Sequence, residues 1–389
     1  MAFRKPSIVY IHGAEPLVGV GRRFKELHKR LLNQFNVTLL SLGGPSLEKE
    51  CFEEGIFIKC CFPVFGKLLS LQSSGSYYQY RFLHYLLSPL MVQKILSKTD
   101  VIHEEMSPIP FFTPLYVNKP VILTVNEIRN RLNFECFGVL GGLPFTIEKI
   151  LKYVPYDAVI SVSRVTHERL SRMGIPNILI PNGVDVDKFA PTRGMNSKPY
   201  LCVLTVTRLV EHKGCYDFLK IAERICRIRN DVKFFLIGRG PLESKIRSLI
   251  KRKGLENNVV LLKNLSEEDY VRTIQNCDIY LHTNPNQEGF GLSVAEAMSC
   301  GKPVVAYNVP GVNELVDTDC GTLVKPRDTE AMVNALLEFI ESKNRRDEYG
   351  KSGRELILKK YSWDKSAKML HKVYLSLLTS KSKKTLGSL

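Results

Sequence analysis

The stretch NPNQEGFGLSVAEAMSCGKPVVA, from Asn284 to Ala306, decides how the rest of the chain is read. It leaves an apolar run, crosses a polar loop to Gly289, Phe290 and Gly291, turns helical at once, and ends at Gly301 before another apolar run. Glycines let a backbone approach a ligand closely, and a helix start offers unpaired amides and positive dipole, so a diphosphate is well matched there. Glu288 in the loop and Glu296 in the helix lie eight positions apart, a spacing that can put both carboxylates at the rim of one pocket. Two structural explanations stand beside this one. Ser293 and Glu296 fit an S-x-x-E capping box, and Glu288 fits a solvated loop carboxylate.

Working outward, short β-branched runs alternate with amphipathic stretches, the rhythm of βα units wound onto a parallel sheet. After the linker the expected strands are Leu201 to Thr205, Lys233 to Ile237, Val259 to Leu262, Ile279 to Thr283 and Pro303 to Tyr307. Between them fall helices near Tyr216 to Ile228, Leu242 to Lys253 and Glu267 to Asn276. TRLVEHKGCYDFL, from Thr207, puts Arg208 and Lys213 on the loop after the first of these strands. Two fixed cations at a strand's carboxyl end would neutralise a departing diphosphate; lone basic loop residues are otherwise simply solvated. IGRGPLE, from Ile237, ends a strand with Gly238 and Gly240, either as a donor contact or as a tight βα turn.

The first half repeats the pattern, with strands expected at Ser7 to His12, Val37 to Leu42, Val101 to His103, Val121 to Val125, Ala158 to Ser161 and Ile178 to Ile180. A helix beginning near Arg22 buries Phe24, Leu27 and Leu31 at helical spacing and shows a basic outer face. The turn-rich stretch from Ala190 to Pro199 interrupts the pattern and sets the expected boundary. The domains are therefore read as 1–190 and 191–365, followed by a helix and basic tail over 366–389. Each half is a doubly wound domain, in which ligands sit outside the carboxyl ends of the strands where strand order reverses.

A length of 389 residues suits two cores, and the composition, 44% hydrophobic and 24% charged, is that of ordinary globular proteins. No secretory leader or run long enough to span a bilayer is seen, so the expectation is a cytoplasmic protein. Ten cysteines without a CxxC pair read as buried thiols in a reducing compartment, neither a disulfide framework nor a zinc site. The net charge of +16 attracts nucleotides, nucleic acids or anionic lipid. No zinc-finger spacing, RNP-like pattern or basic zipper appears, so nucleic acid is not expected as a partner. The Arg22 helix and SYYQYRFLHYLLSPLMVQKIL from Ser76 mix basic, aromatic and aliphatic residues. They read either as a segment touching an anionic membrane or as first-domain core and binding wall.

Taken together these stretches resemble the retaining glycosyltransferases of family 4 over nearly the whole chain. EGFGLSVAE is the most specific element, supported by PNGVDVDKF from Pro181, SVSRVTHERL from Ser161 and YSWDKSAKMLHKVY from Tyr361. The resemblance implies a GT-B fold, two Rossmann-like domains facing across a cleft, with the closing helix crossing back to the first domain. It implies that Glu296 holds the ribose hydroxyls and Glu288 the donor sugar. The amides of Phe290, Gly291 and Leu292 would take sugar or phosphate oxygens, and Arg208 and Lys213 the diphosphate.

In the first domain, the resemblance places Gly19 and Gly21 near the donor phosphates and His103 at the reaction centre. Position 105, where family members often carry a second histidine, is Glu, and Asn126 stands where histidine is frequent. Asn126 can hydrogen-bond a hydroxyl but cannot act as a base; Glu127 beside it is a candidate acceptor contact. The implied activity is metal-independent transfer of a hexose-type sugar from a UDP- or GDP-sugar to a hydroxyl of a saccharide or lipid-linked acceptor, without a cofactor. The rivals are an inactive nucleotide-sugar-binding scaffold subunit and a nucleotide-sugar epimerase on the same fold.

Overall fold

The computed structural model describes residues 4–12, 20–41, 50–53, 56–60, 93, 95–106, 112–128, 149–192 and 198–386. Contacts divide the chain into two compact units, Met1–Asn182 with Trp363–Leu389, and Gly183–Ser362. The first unit ends at Asn182, ahead of the turn-rich stretch from Ala190 at which the sequence suggests a boundary. The backbone explains this: Val184 donates to the carbonyl of Tyr361, and Phe189 is sealed into the second unit's core.

In the first unit the described strands are β1 (Ser7–His12), β2 (Asn36–Ser41), β3 (Glu50–Glu53), β4 (Ile56–Cys60), β5 (Val101–Met106), β6 (Val121–Val125), β7 (Ala158–Ser161) and β8 (Ile178–Leu179). They form one sheet in the order β3-β4-β2-β1-β5-β6-β7-β8, parallel except for the β3–β4 pair. The order reverses between β1 and β5, whose carboxyl ends are therefore the place for a ligand in such a sheet. β5, VIHEEM, is buried at all six positions, so two glutamates and a histidine lie inside a strand that the sequence pattern ends at His103. The β3–β4 hairpin has no counterpart in the sequence reading.

Helix α1 (Val20–Lys29) buries Phe24 and Leu27, with Leu31 just beyond, as the spacing predicts. Its outer face carries the half-buried basic residues Arg22, Lys25 and Lys29. Arg23, Glu26 and His28 are also buried, His28 against Tyr374 of the final helix and Arg23 against Asn182 and the Ile180 carbonyl. Helix α2 (Arg164–Arg172) starts at Ser163, whose hydroxyl accepts from the Thr166 amide at 3.3 Å.

The second unit carries β9 (Leu201–Val206), α3 (Cys215–Ile228), β10 (Val232–Ile237), α4 (Glu243–Arg252), β11 (Val259–Leu262), α5 (Glu267–Asn276), β12 (Ile279–His282), α6 (Leu292–Ser299), β13 (Val304–Tyr307), β14 (Gly321–Val324), α7 (Thr329–Glu341) and α8 (Lys343–Lys360). The sheet order β11-β10-β9-β12-β13-β14 is the doubly wound 3-2-1-4-5-6 arrangement, parallel throughout. Its reversal lies between β9 and β12, so the loops after these two strands emerge side by side. One continuous hydrophobic cluster fills this unit, including Phe218, Phe234, Tyr280 and Phe339.

Helix α9 (Trp363–Leu386) belongs to the first unit. Ala367, Leu370 and Tyr374 are buried at helical spacing, Tyr374 meets Phe35 at 5.4 Å between ring centroids, and Arg30 pairs with Asp364 at 2.8 Å. The closing helix thus docks on the first unit, as the family resemblance implies. Among the described residues no helix is long and apolar enough to cross a membrane. Cys202, Cys215, Cys277, Cys300 and Cys320 are buried free thiols, and Cys226 is a half-buried one.

Candidate functional site

The second unit brings together the loops after β9 and β12. Lys213 Nζ lies 2.8 Å from Glu288 Oε1, and both side chains are largely but not wholly buried. The same carboxylate oxygen accepts the side-chain amide of Asn284 at 2.5 Å, and His282 Nε2 stands 3.8 Å away. Burial opposes ionisation of Glu288, but Lys213, His282 and the hydrogen bonds from Lys213 and Asn284 hold its pKa below the ordinary value. Burial presses His282 down to about 4, so its imidazole is neutral near pH 7.

The loops are locked by backbone. Gly214 has φ +74°, and a Cβ there would sit 1.8 Å from the carbonyl oxygen of Thr283, so only glycine lets the β9 loop lie against the β12 loop. Thr283 Oγ1 donates to the Gly214 carbonyl at 3.0 Å, and Asn286 Nδ2 to the His212 carbonyl at 2.6 Å. Two segments seventy residues apart in sequence become one surface. Sequence periodicity cannot show this, since it depends on strand order.

At α6 the capping-box reading is overturned. The residue preceding the helix is Gly291, at φ +88°, with no side-chain cap, and Ser293 lies inside the first turn. Glu296 accepts instead from the Tyr270 hydroxyl at 2.5 Å and is 3% exposed. The first amides of α6 are left without a side-chain cap, as an anion would require. Phe290 is buried edge-on against Tyr361, so its backbone, rather than its ring, is what it offers a ligand. Leu292 opens the helix.

Arg208 is exposed, and its guanidinium has no partner among the described residues. It stands five residues before Lys213 on the same loop. Gly238 finds a structural explanation: a Cβ there would sit 2.1 Å from the Thr207 carbonyl oxygen, where the strand ends cross. That contact shapes the β9 loop whether or not the residue also touches a ligand.

In the first unit the expected site residues divide. Gly21 lies in the first turn of α1, and Gly19 lies outside the described residues. His103 is 1% exposed with both ring nitrogens occupied, Nδ1 by the Tyr374 hydroxyl and Nε2 by Thr124 Oγ1, each at 2.7 Å. Burial, with His28 and Arg23 nearby, holds its pKa well below the ordinary value. The imidazole is thus enclosed between the α9 phenol and the β6 hydroxyl. The Tyr374 hydroxyl also meets His28 Nε2 at 2.7 Å, so one phenol joins α1, β5 and α9. Asn126 donates to Glu105 Oε1 at 2.6 Å, and Glu105 is fully buried. Glu127 is half-buried beside it. Among the described residues no cluster of three or more His, Cys, Asp or Glu could hold a metal ion.

Comparison with known proteins assigns the architecture. Two family models match in series: Glycosyltransferase Family 4 over residues 17–188 and Glycosyl transferases group 1 over residues 190–356. The chain belongs to the family-4 glycosyltransferases, with a GT-B fold. Phosphatidyl-myo-inositol mannosyltransferase of Mycobacterium leprae is 29% identical over 224 residues, 57% of this chain and 59% of that one. The sucrose-phosphate synthase of Thermosynechococcus elongatus superposes with a TM-score of 0.80 at 18% identity, over 97% of this chain and all of the other. Anabaena Alr3699/HepE, solved with UDP and glucose, gives 0.71 at 18% identity, over 95% and 100%. The alignments span little more than half the length of the curated relatives.

Proposed function

We propose that this protein transfers a hexose-type sugar from a UDP- or GDP-sugar, with retention, to a hydroxyl of a saccharide or lipid-linked acceptor. The observation that carries the reading is the Lys213–Glu288 pair, set beside the uncapped start of α6 and the exposed Arg208, at the reversal point of the second sheet. The second unit is the donor side and the first the acceptor side, with Asn126 and Glu127 as acceptor contacts.

Lys213 has three N–H donors, one of which is engaged by Glu288, so it can hold the carboxylate and a phosphate oxygen together. With Arg208 and the helix dipole it supplies positive charge where the leaving diphosphate becomes more negative. This division of labour needs no divalent cation and no cofactor. Glu288 takes the sugar hydroxyls and Glu296 the ribose hydroxyls. No carboxylate stands out as a nucleophile, and the favoured course is front-face departure, in which the leaving phosphate itself accepts the proton of the incoming hydroxyl. The relative that acts on phosphatidyl-myo-inositol and the net charge of +16 favour a lipid-linked acceptor and peripheral contact with the cytoplasmic face of an anionic membrane.

The test is thermal shift against UDP-, GDP- and ADP-sugars in EDTA, comparing wild type with Glu296→Ala. Stabilisation by one nucleotide sugar that the variant loses supports the donor site, since a ligand of the native state raises the midpoint. Stabilisation by none of them, or equally in both proteins, removes it.

A further inference from the structure

Within this reading of the site, the two oxygens of Glu288 are unequally employed. Oε1 receives Lys213 Nζ at 2.8 Å and Asn284 Nδ2 at 2.5 Å, with His282 Nε2 at 3.8 Å. Oε2 has no hydrogen-bond partner among the described residues, and it is not sealed from solvent. A carboxylate clamped at one oxygen presents the other in a defined direction, which is what recognition of a sugar hydroxyl needs.

Asn284 is suited to this task and to little else. It is 1% exposed at the carboxyl end of β12, and its Oδ1 accepts the Asn286 amide at 3.1 Å, fixing the plane of the side chain. That leaves Nδ2 aimed at Glu288. Behind it, His282 is 4% exposed, and its Nε2 finds no hydrogen-bond partner among the described residues. A buried polar atom without a partner is costly, and its persistence at a site argues for a partner in another state.

We propose that Asn284 is a positioning residue for sugar recognition: its amide holds Glu288 Oε1 so that Oε2 meets the donor sugar. Asn284 touches no substrate; it acts through Glu288. The inference rests on the donor reading of the site, and it adds a prediction that reading does not make. Asn284 matters for the sugar and is indifferent for the nucleotide.

The titratable groups facing Glu288 are Lys213, from the turn after β9, and His282, from β12. Asn284→Asp keeps the acceptor for the Asn286 amide but sets a second carboxylate against Glu288. Two such groups at hydrogen-bond distance share one proton, so acid restores a donor where the amide stood. Asn284→Ala offers no such recovery.

The experiment follows nucleotide release from UDP-glucose, UDP-N-acetylglucosamine and GDP-mannose between pH 5.5 and 8, with calorimetric titration of UDP and GDP alone. Expected for Asn284→Ala is at least a roughly tenfold loss of kcat/KM on the sugar that wild type uses, with nucleotide affinity within about twofold. Asn284→Asp should be as poor at pH 8 and regain most of the loss by pH 5.5, while wild type shows no such rise. Near-normal turnover by Asn284→Ala overturns the inference. So does an equal fall in nucleotide affinity, or an Asn284→Asp variant, folded by its thermal midpoint, that does not recover in acid. A wild type that binds neither nucleotide nor nucleotide sugar overturns the donor reading itself and this inference with it.

Discussion

The two units place polar side chains at comparable points of comparable sheets and use them in opposite ways. In the first, β5 buries His103, Glu104 and Glu105: the Tyr374 hydroxyl and Thr124 fill both nitrogens of His103, Thr113 and Tyr156 donate to Glu104, and Asn126 donates to Oε1 of Glu105. Arg23 gives its guanidinium to Asn182 at 2.6 Å and the Ile180 carbonyl at 3.0 Å. In the second, Glu288 keeps an open oxygen, the Arg208 guanidinium has no partner among the described residues, and α6 starts without a side-chain cap. His103, with both nitrogens filled from within, holds the fold together, while Glu288, with one oxygen open, is prepared for a ligand. His103 and Glu288 are equally suggestive as letters, and only their partners separate them.

The largest effect should come from the open side. Arg208→Ala should lower donor turnover by about 10²–10³-fold, as loss of a group that stabilises charge in the transition state does. Its thermal midpoint should stay within about 1 °C, because the guanidinium makes no hydrogen bond or ion pair among the described residues. Steady-state rates beside a melting curve check both halves; equal losses in rate and stability would erase the contrast between the units.

Acid should separate the units next. The folded pKa of His28 is depressed to about 4 by burial, and that of His103 lies well below the ordinary value. The unfolded chain therefore binds more protons once pH falls below about 6.5, so stability is full above that value and is lost as pH drops toward 4. At pH 5 the cost is on the order of 2 kcal/mol for His28 alone. The second unit holds one such histidine, His282. Hydrogen exchange at pH 7 and pH 5 should show protection lost first in β1, β5 and α9. Loss first in β9 and β12 would reverse the assignment.

Tyr374→Phe tests the closed cluster directly. Without the hydroxyl, His28 Nε2 and His103 Nδ1 lose a buried partner, at about 1–3 kcal/mol in urea denaturation. Affinity for UDP or GDP should not move, because the second unit is untouched. Smallest is Tyr270→Phe, which removes the hydroxyl donated to Glu296 and should weaken nucleotide binding about three- to tenfold by calorimetry. An unchanged affinity would mean that Glu296 needs no help in taking up its position.

Most of the architecture was legible because it is local. The strands at Ser7–His12, Val121–Val125, Ala158–Ser161 and Val259–Leu262, and the helix at Glu267–Asn276, stand at their expected bounds, since each carries its own periodicity. β14, Gly321–Val324, and the β3–β4 hairpin escaped it, being short strands at sheet edges where the hydrophobic pattern is weak. β5 was cut short at His103 because charged letters read as a strand's end, although their burial is made possible by partners from α9, β6 and the Thr113 turn.

By itself the sequence determined the βα rhythm, the glycine loop running into α6, and the pair of glutamates eight apart. These follow from backbone freedom and side-chain period, which act over a few residues. Only the tertiary structure decided that Lys213 and Asn284 meet Glu288, and that His103 is enclosed. Those outcomes depend on strand order and on a helix arriving from the far end of the chain, so no window of sequence contains them.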